Sequence, residues 1–174
     1  VLCNAIIVHA QSENALGFDN IDDHVIVPGA SAGIAGGNEI TLMCWVKPLN
    51  TNITFPDYDG IAGIRNNTDA DFYMIHFTPT GVEARFRNSA GVNYDIVDNS
   101  LQIGVWQHYA LRYNGSELTL FRNGIQVNTV IASGQILNAT EALYIGGMLF
   151  QTFNFYMNGS VDEVSLWNRA LSPG

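Results

Sequence analysis

The sequence predicts an all-β domain, a sandwich or barrel of short antiparallel strands, and three observations carry that prediction. Short apolar runs recur about every eight to twelve residues, the spacing of strands in such folds. Turn residues punctuate the runs, with 17 glycines and 5 prolines in 174 residues. Aromatic residues are plentiful, with 9 Phe, 7 Tyr and 3 Trp, and these suit a pleated, half-buried surface.

The elements follow in order. Residues 15–18 and 24–27 read as strands flanking an Asp-rich turn, the second closed by Pro28-Gly29. Residues 40–46 form a strong strand pattern stopped by Lys47-Pro48, and 60–65 a weaker one. Residues 72–78, the turn Pro79-Thr80-Gly81 and residues 82–87 read as a hairpin, extended by 92–97 into a meander. Residues 106–113 lead into Asn114-Gly115 and residues 117–122 into Asn123-Gly124, two turns whose positions tolerate positive φ; 125–131 follows. Residues 143–147 and 159–167 finish the pattern. Helical candidates are a turn at 30–34 and the start of one at 168–171. Within 82–87, Val82, Ala84 and Phe86 point one way and Glu83, Arg85 and Arg87 the other. Leu118 and Leu120 share a face, so Phe121 looks outward or into a second layer.

Composition bounds the function. One domain accounts for the length, and no run of eighteen apolar residues exists to span a membrane. Sixteen acids face seven bases, for a net charge of −9, and Lys47 is the one lysine. Such a surface repels nucleic acid phosphates and anionic lipid. It reads either as a solvating face or as a source of carboxylates for calcium. Cys3 and Cys44 could pair, although Cys44 sits in an apolar strand pattern where a buried free thiol is common. Residues 1–10 are mostly apolar and end in Val8-His9-Ala10, like the tail of a signal peptide, with a first strand as the alternative. Residues 11–174 then form the domain. Secretion or display at the cell surface follows from the signal-peptide reading.

Four blocks resemble the laminin-G-like, concanavalin A-like jelly rolls. They are Ala15-Leu16-Gly17-Phe18-Asp19-Asn20 with His24-Val25-Ile26-Val27-Pro28; then Ile40 through Pro48, containing Cys44-Trp45-Val46-Lys47-Pro48. Trp106-Gln107-His108-Tyr109-Ala110 with Leu118 through Gly124 is the third, and Leu143 through Gly147 with Gly159 through Ser172 the fourth. Asn20 stands where the family usually has Gly. The resemblance implies a two-sheet antiparallel β-sandwich, a concanavalin A-like jelly roll, set in a longer secreted protein and cut short here at its C-terminal end. It leaves oligomeric state open. Trp45, Trp106 and Trp167 read as core or inter-sheet packing.

Some relatives of this fold are glycosidases, which need two carboxylates flanking the scissile bond, shown on a strand as acids at alternating positions. No such run exists here: Asp57/Asp59 and Asp69/Asp71 lie in loop-like stretches, Asp95/Asp98 have the wrong parity, and Asp162-Glu163 are adjacent. There is no nucleophile elbow, phosphate loop or zinc spacing either. No catalytic residues are assigned. The expectation is a non-catalytic module binding a glycan or polysaccharide, or serving adhesion, with a spacer packing against neighbouring protein domains as the alternative and a glycosidase third. The resemblance places a structural calcium ion at Asp162, with Asp19 as second ligand; the competing role for Asp162 is a hydrogen bond to a turn backbone. Sugar sites need aromatic faces and planar polar groups. Tyr73, Arg85, Arg87 and Tyr94 on the meander, and Phe153 and Tyr156 in an aromatic-rich loop, meet that description. Five Asn-x-Ser/Thr sequons begin at Asn52, Asn66, Asn114, Asn138 and Asn158, of which Asn114 is better explained as a turn.

Overall fold

The computed structural model describes residues 14–66, 70–136, 141–150 and 153–172. Residues 1–13, with Cys3 and the leader-like segment, lie outside the described residues, as does the sequon at Asn138. Strands β1 (Leu16–Asp19) and β2 (Val25–Val27) precede a single 3-10 turn (Ala30–Gly33) and the long β3 (Ile40–Pro48). Next come β4 (Asp59–Ile64), β5 (Phe72–Thr78), β6 (Gly81–Arg87) and β7 (Asn93–Asp98). Then β8 (Gln107–Tyr113), β9 (Glu117–Arg122) and β10 (Ile125–Ile131) run as a meander. The chain closes with β11 (Leu143–Ile145), β12 (Leu149–Phe150), β13 (Phe153–Asn154) and β14 (Asn158–Trp167).

Two six-stranded antiparallel sheets stack face to face. The first runs β1-β14-β3-β8-β9-β10 and the second β2-β11-β4-β5-β6-β7, with β12-β13 a separate small hairpin. Period-two alternation decides which side chains fill the space between them. From the first sheet Ile40, Leu42, Cys44 and Val46 of β3 face inward with Tyr109, Leu111, Tyr113, Leu118 and Leu120. Opposite them stand Phe72, Met74, Val82, Ala84 and Phe86 of the second sheet. Burial pushes the Cys44 thiol up to about 12, which leaves it an unreactive core group.

A polar staple centred on Asp98 helps join the sheets. Asp98, at the end of β7, accepts hydrogen bonds from the Tyr109 hydroxyl at 2.8 Å and from Arg122 Nη1 at 2.6 Å, both on the first sheet. Burial, reinforced by that acceptor, holds the Tyr109 phenol above its ordinary range.

Several sequence expectations need correction. Trp45 is buried as expected, at 7% exposure, but on the outer face of the first sheet against the His108 ring, 5.4 Å away, because its neighbours Cys44 and Val46 take the inward positions. Trp167 is 39% exposed beneath the Arg169 guanidinium. Phe121, as expected, looks outward, covered by Arg112 at 5.0 Å. The β12–β13 hairpin was not anticipated. Asn114 is a turn residue as expected, its Oδ1 accepting the backbone N–H groups of Ser116 and Glu117.

Candidate functional site

The outer face of the second sheet carries a second hydrophobic cluster, and its origin is a glycine. On β4, Gly60 offers no side chain to this face; a Cβ there would lie 2.7 Å from Gly147 C and Met148 N and 2.8 Å from Phe155 O. The 146–157 loop therefore rests directly on β4, with Gly60 N–H donating to Phe155 O at 2.9 Å. Met148 and Phe155 from this loop cover Tyr73 and Ile75 of β5, and Tyr58, Phe77 and Phe153 pack around them.

Beneath the loop a cleft of about 170 Å³ opens on β5 and β6. Tyr73 forms its floor, with Phe55, Tyr58 and Phe155 as apolar walls and Arg65, Glu83 and Arg85 as polar ones. The register places Tyr73 opposite Arg85, and Arg85 opposite Asp95 on β7. The guanidinium carbons of Arg65 and Arg85 lie 4.9 and 5.6 Å from the centre of the Tyr73 ring. The Tyr73 hydroxyl donates to Glu83 Oε1 at 3.1 Å, and Arg85 Nη2 is 3.6 Å from the same oxygen. Arg85 also grips Asp95 through Nε and Nη2, the latter at 3.1 Å.

Electrostatics follows from burial. Desolvation lowers the Arg65 guanidinium from its ordinary value, against the opposing influence of Tyr73 and Asp71. Desolvation likewise pushes the Tyr73 phenol up. For Arg85 burial works downward too, but the hydrogen bond and charge of Asp95, with Glu83, outweigh it and raise the group. The cleft thus keeps two cations and a neutral phenol across the neutral range. Among the described residues lining it, Glu83 is the one carboxylate, whereas glycoside hydrolysis ordinarily needs a pair.

A buried anchor supports the wall. Asp59 and His76 are both fully buried, with His76 Nδ1 donating to Asp59 Oδ2 at 2.9 Å. The other Asp59 oxygen accepts from Asn50 Nδ2 at 3.2 Å and Asn158 N–H at 3.4 Å. One carboxylate so ties β5 to the segments that carry Phe55, Tyr58 and Phe155.

The remaining sequence-predicted residues are distributed differently. Phe153 sits at the rim, edge-on to Phe55 at 5.2 Å. Arg87 is on the same face but pairs with buried Asp71 at 3.3 Å and with Asn93, outside the cleft. Tyr94 faces the interior: its ring stacks on Phe86 at 5.7 Å and its hydroxyl meets Ser133 Oγ at 3.1 Å, because it pairs with an inward residue of β6. Tyr156 turns to the far side of the loop, against His24. Sequence reasoning missed Arg65, Glu83, Phe55 and Tyr58. Glu83 was within reach, since it alternates in step with Arg85.

Asp19 and Asp162 do not meet. Asp19 pairs with Asn158, four residues before Asp162, so roughly 13 Å of strand separates them. Asp162 instead accepts the N–H of Glu163 at 2.8 Å, at the register shift within β14 rather than in a turn. The acids that do gather with Asp19 are Asp22 and Asp23, exposed and with one ligand oxygen each within 4.8 Å of the others. All-oxygen donors of this kind suit calcium.

A groove of about 290 Å³ lies on the outer face of the first sheet, between Met43, His108, Phe121 and Leu171. It is larger than the cleft but poor in polar groups: Arg112, its one charged lining residue among those described, is spent on the Phe121 ring and the Leu171 carbonyl at 3.4 Å. Among the described residues no helix is long and apolar enough to cross a membrane.

Comparison with known proteins places these features. Residues 18–174 match the family described as the concanavalin A-like lectin/glucanases superfamily. No curated protein sequence matches the chain. Among solved structures, the CBM40 of the Ruminococcus gnavus IT-sialidase bound to α2,3-sialyllactose is similar over 91% of this chain and 93% of its own, with TM-score 0.68 and 18% identity. Domain 4 of AbnA, a GH43 extracellular arabinanase from Geobacillus stearothermophilus, in complex with arabinotriose, is similar over 94% of this chain and 75% of its own, with TM-score 0.69 and 16% identity. The NanB sialidase of Streptococcus pneumoniae, in its K499G form, matches with TM-score 0.70 and 18% identity. The similarity covers 91% of this chain but only 26% of NanB.

Proposed function

This chain belongs to the concanavalin A-like lectin/glucanases superfamily, and from that premise we propose that it is a non-catalytic carbohydrate-binding module. The observation that carries the proposal is the Tyr73 cleft: an aromatic floor and walls beside Glu83 and two guanidiniums. Phe55, 52% exposed, offers a ring face to the apolar side of a sugar. Glu83 accepts from hydroxyls, and Arg65 and Arg85 suit a carboxylate. The favoured ligand is therefore a glycan carrying an acidic sugar. Two observations support this reading: similar domains are bound to sialyllactose and arabinotriose, and the cleft lining holds a single carboxylate among the described residues. Secretion belongs to the same proposal, in keeping with the extracellular arabinanase whose domain is similar. So does a structural calcium ion, its ligands now Asp19, Asp22 and Asp23.

Calorimetric titration with sialyllactose and with neutral oligosaccharides tests the function. Measurable affinity for the acidic sugar, lost by at least about tenfold in Arg85→Ala, supports it, since removing a buried charged partner costs more than 1.4 kcal/mol. Failure to bind any glycan on a broad array overturns it.

A further inference from the structure

The outer face of the second sheet carries a second aromatic site that the cleft does not use. Tyr144 of β11 lies in the same cross-strand row as Tyr73, with Gly63 of β4 between them. Adjacent strands are about 4.8 Å apart, so the two tyrosine backbones are separated by about 10 Å. Residues 146–148 and Phe155 rest on β4, and two neighbouring side chains diverge: Phe155 enters the cleft, while Tyr156 turns toward Tyr144.

There the His24 ring lies 6.3 Å from Tyr144 at an interplanar angle of 24°, and 5.7 Å from Tyr156. His24 and Asn154 are exposed and both tyrosines half-buried. Polar groups are placed among the rings. Asn154 Nδ2 donates to the Tyr156 hydroxyl at 2.9 Å. His24 Nδ1 is 2.8 Å from the Asp22 carbonyl oxygen; a carbonyl only accepts, so Nδ1 donates here and Nε2 is the ring nitrogen that can meet a ligand hydroxyl. The hollow these groups enclose is only about 20 Å³, so it presents a ledge to a ligand lying across it rather than a pocket around one.

The geometry points to a second sugar contact: His24, Tyr144 and Tyr156 hold a further residue of an oligosaccharide whose first residue occupies the Tyr73 cleft, an assignment that rests on the carbohydrate reading above. The rings supply apolar faces for sugar C–H groups, and His24 Nε2 and the Asn154 amide meet hydroxyls. A single monosaccharide ring cannot bridge the two positions, whereas a disaccharide or trisaccharide can. The module thereby prefers longer chains without any enlargement of the cleft.

NMR titration of the wild type, His24→Ala and Tyr144→Ala tests this, with α2,3-sialyllactose, arabinotriose, N-acetylneuraminic acid and arabinose as probes. His24 is exposed, so its removal leaves the fold intact, and a thermal melt checks each variant. The trisaccharide that binds the wild type is expected to bind each variant about tenfold more weakly, the factor that roughly 1.4 kcal/mol produces. Its monosaccharide counterpart is expected to lose less than about twofold. An equal loss for both sugars, or an unchanged trisaccharide affinity in His24→Ala, overturns the ledge and leaves the cleft reading in place. A wild type that binds none of the four, nor any glycan on a broad array, removes both.

Discussion

The hydroxyl of Tyr73 donates to Oε1 of Glu83 across 3.1 Å, and the nearest Arg85 nitrogen approaches that same oxygen. Both contacts fall on one side of the carboxylate, so Oε2 is the oxygen presented to a ligand hydroxyl. Tyr73, only 1% exposed, thus acts on a ligand through Glu83. Tyr73→Phe keeps the ring and removes the orienting hydrogen bond, worth about 0.5–1.5 kcal/mol net. Its expected effect is a roughly three- to tenfold loss of sialyllactose affinity by calorimetry, with Arg85→Ala losing more. Full affinity in Tyr73→Phe would show that Glu83 is held by other means.

The Asp98 staple predicts a stability effect far from the cleft. Asp98→Ala leaves the Tyr109 hydroxyl and Arg122 without their shared acceptor. A fully buried pair broken this way costs about 3–5 kcal/mol; Arg122 retains 23% exposure, so roughly 2–3 kcal/mol is expected from urea denaturation. Sugar binding should be unaffected, because Asp98 lies between the sheets. A loss below about 0.5 kcal/mol would rank the staple with ordinary surface pairs.

His108 provides a pH signature. Burial against Trp45 lowers its pKa from the ordinary 6.5, with Glu163 opposing weakly. The folded pKa is then below the unfolded one, so the unfolded chain binds the proton first as pH falls. The stabilisation is complete above about pH 6.5 and drains away as pH drops toward the folded value. Melting temperatures between pH 7.5 and 5 should fall less steeply in His108→Gln than in the wild type. Parallel slopes would assign the acid sensitivity to other groups.

Calcium is tested by melting in excess calcium against chelator. An ion held by Asp19, Asp22 and Asp23 at a hundredfold excess over Kd adds about 2.7 kcal/mol, which for this size of domain is roughly 5–10 °C. Asp22→Asn with Asp23→Asn should remove the rise, and Asp162→Asn should not. An unchanged wild-type melting temperature retires the ion.

Much of the scaffold was legible because strand alternation is a local property. Residues 72–78, 117–122 and 125–131 coincide with β5, β9 and β10, each bounded by turn residues whose φ requirements are written in the chain. The same alternation placed Arg85 and Arg87 on the outer face. Tyr94 went wrong because a tyrosine at a strand position suits either face, and only its pairing with Phe86 turns it inward. Trp45 is buried as its bulk suggested, but on the outer face, since Cys44 and Val46 already held the inward positions.

The sequence by itself determined the fold class and the family, because periodicity, turn chemistry and ordered motif blocks are readable along one dimension. It also determined the strongly acidic balance within which the few arginines stand out. Only the tertiary structure decided the site. Phe155 is far along the chain from Tyr73 and Glu83, and what unites them is the register of β4 to β6 and a loop able to lie on Gly60. The meeting of Asp19 with Asp22 and Asp23 is local to the Asp-rich turn that follows β1, whereas strand pairing kept Asp19 apart from Asp162. Contacts of this kind depend on which strands pair and which loop covers which face, and no local pattern encodes that.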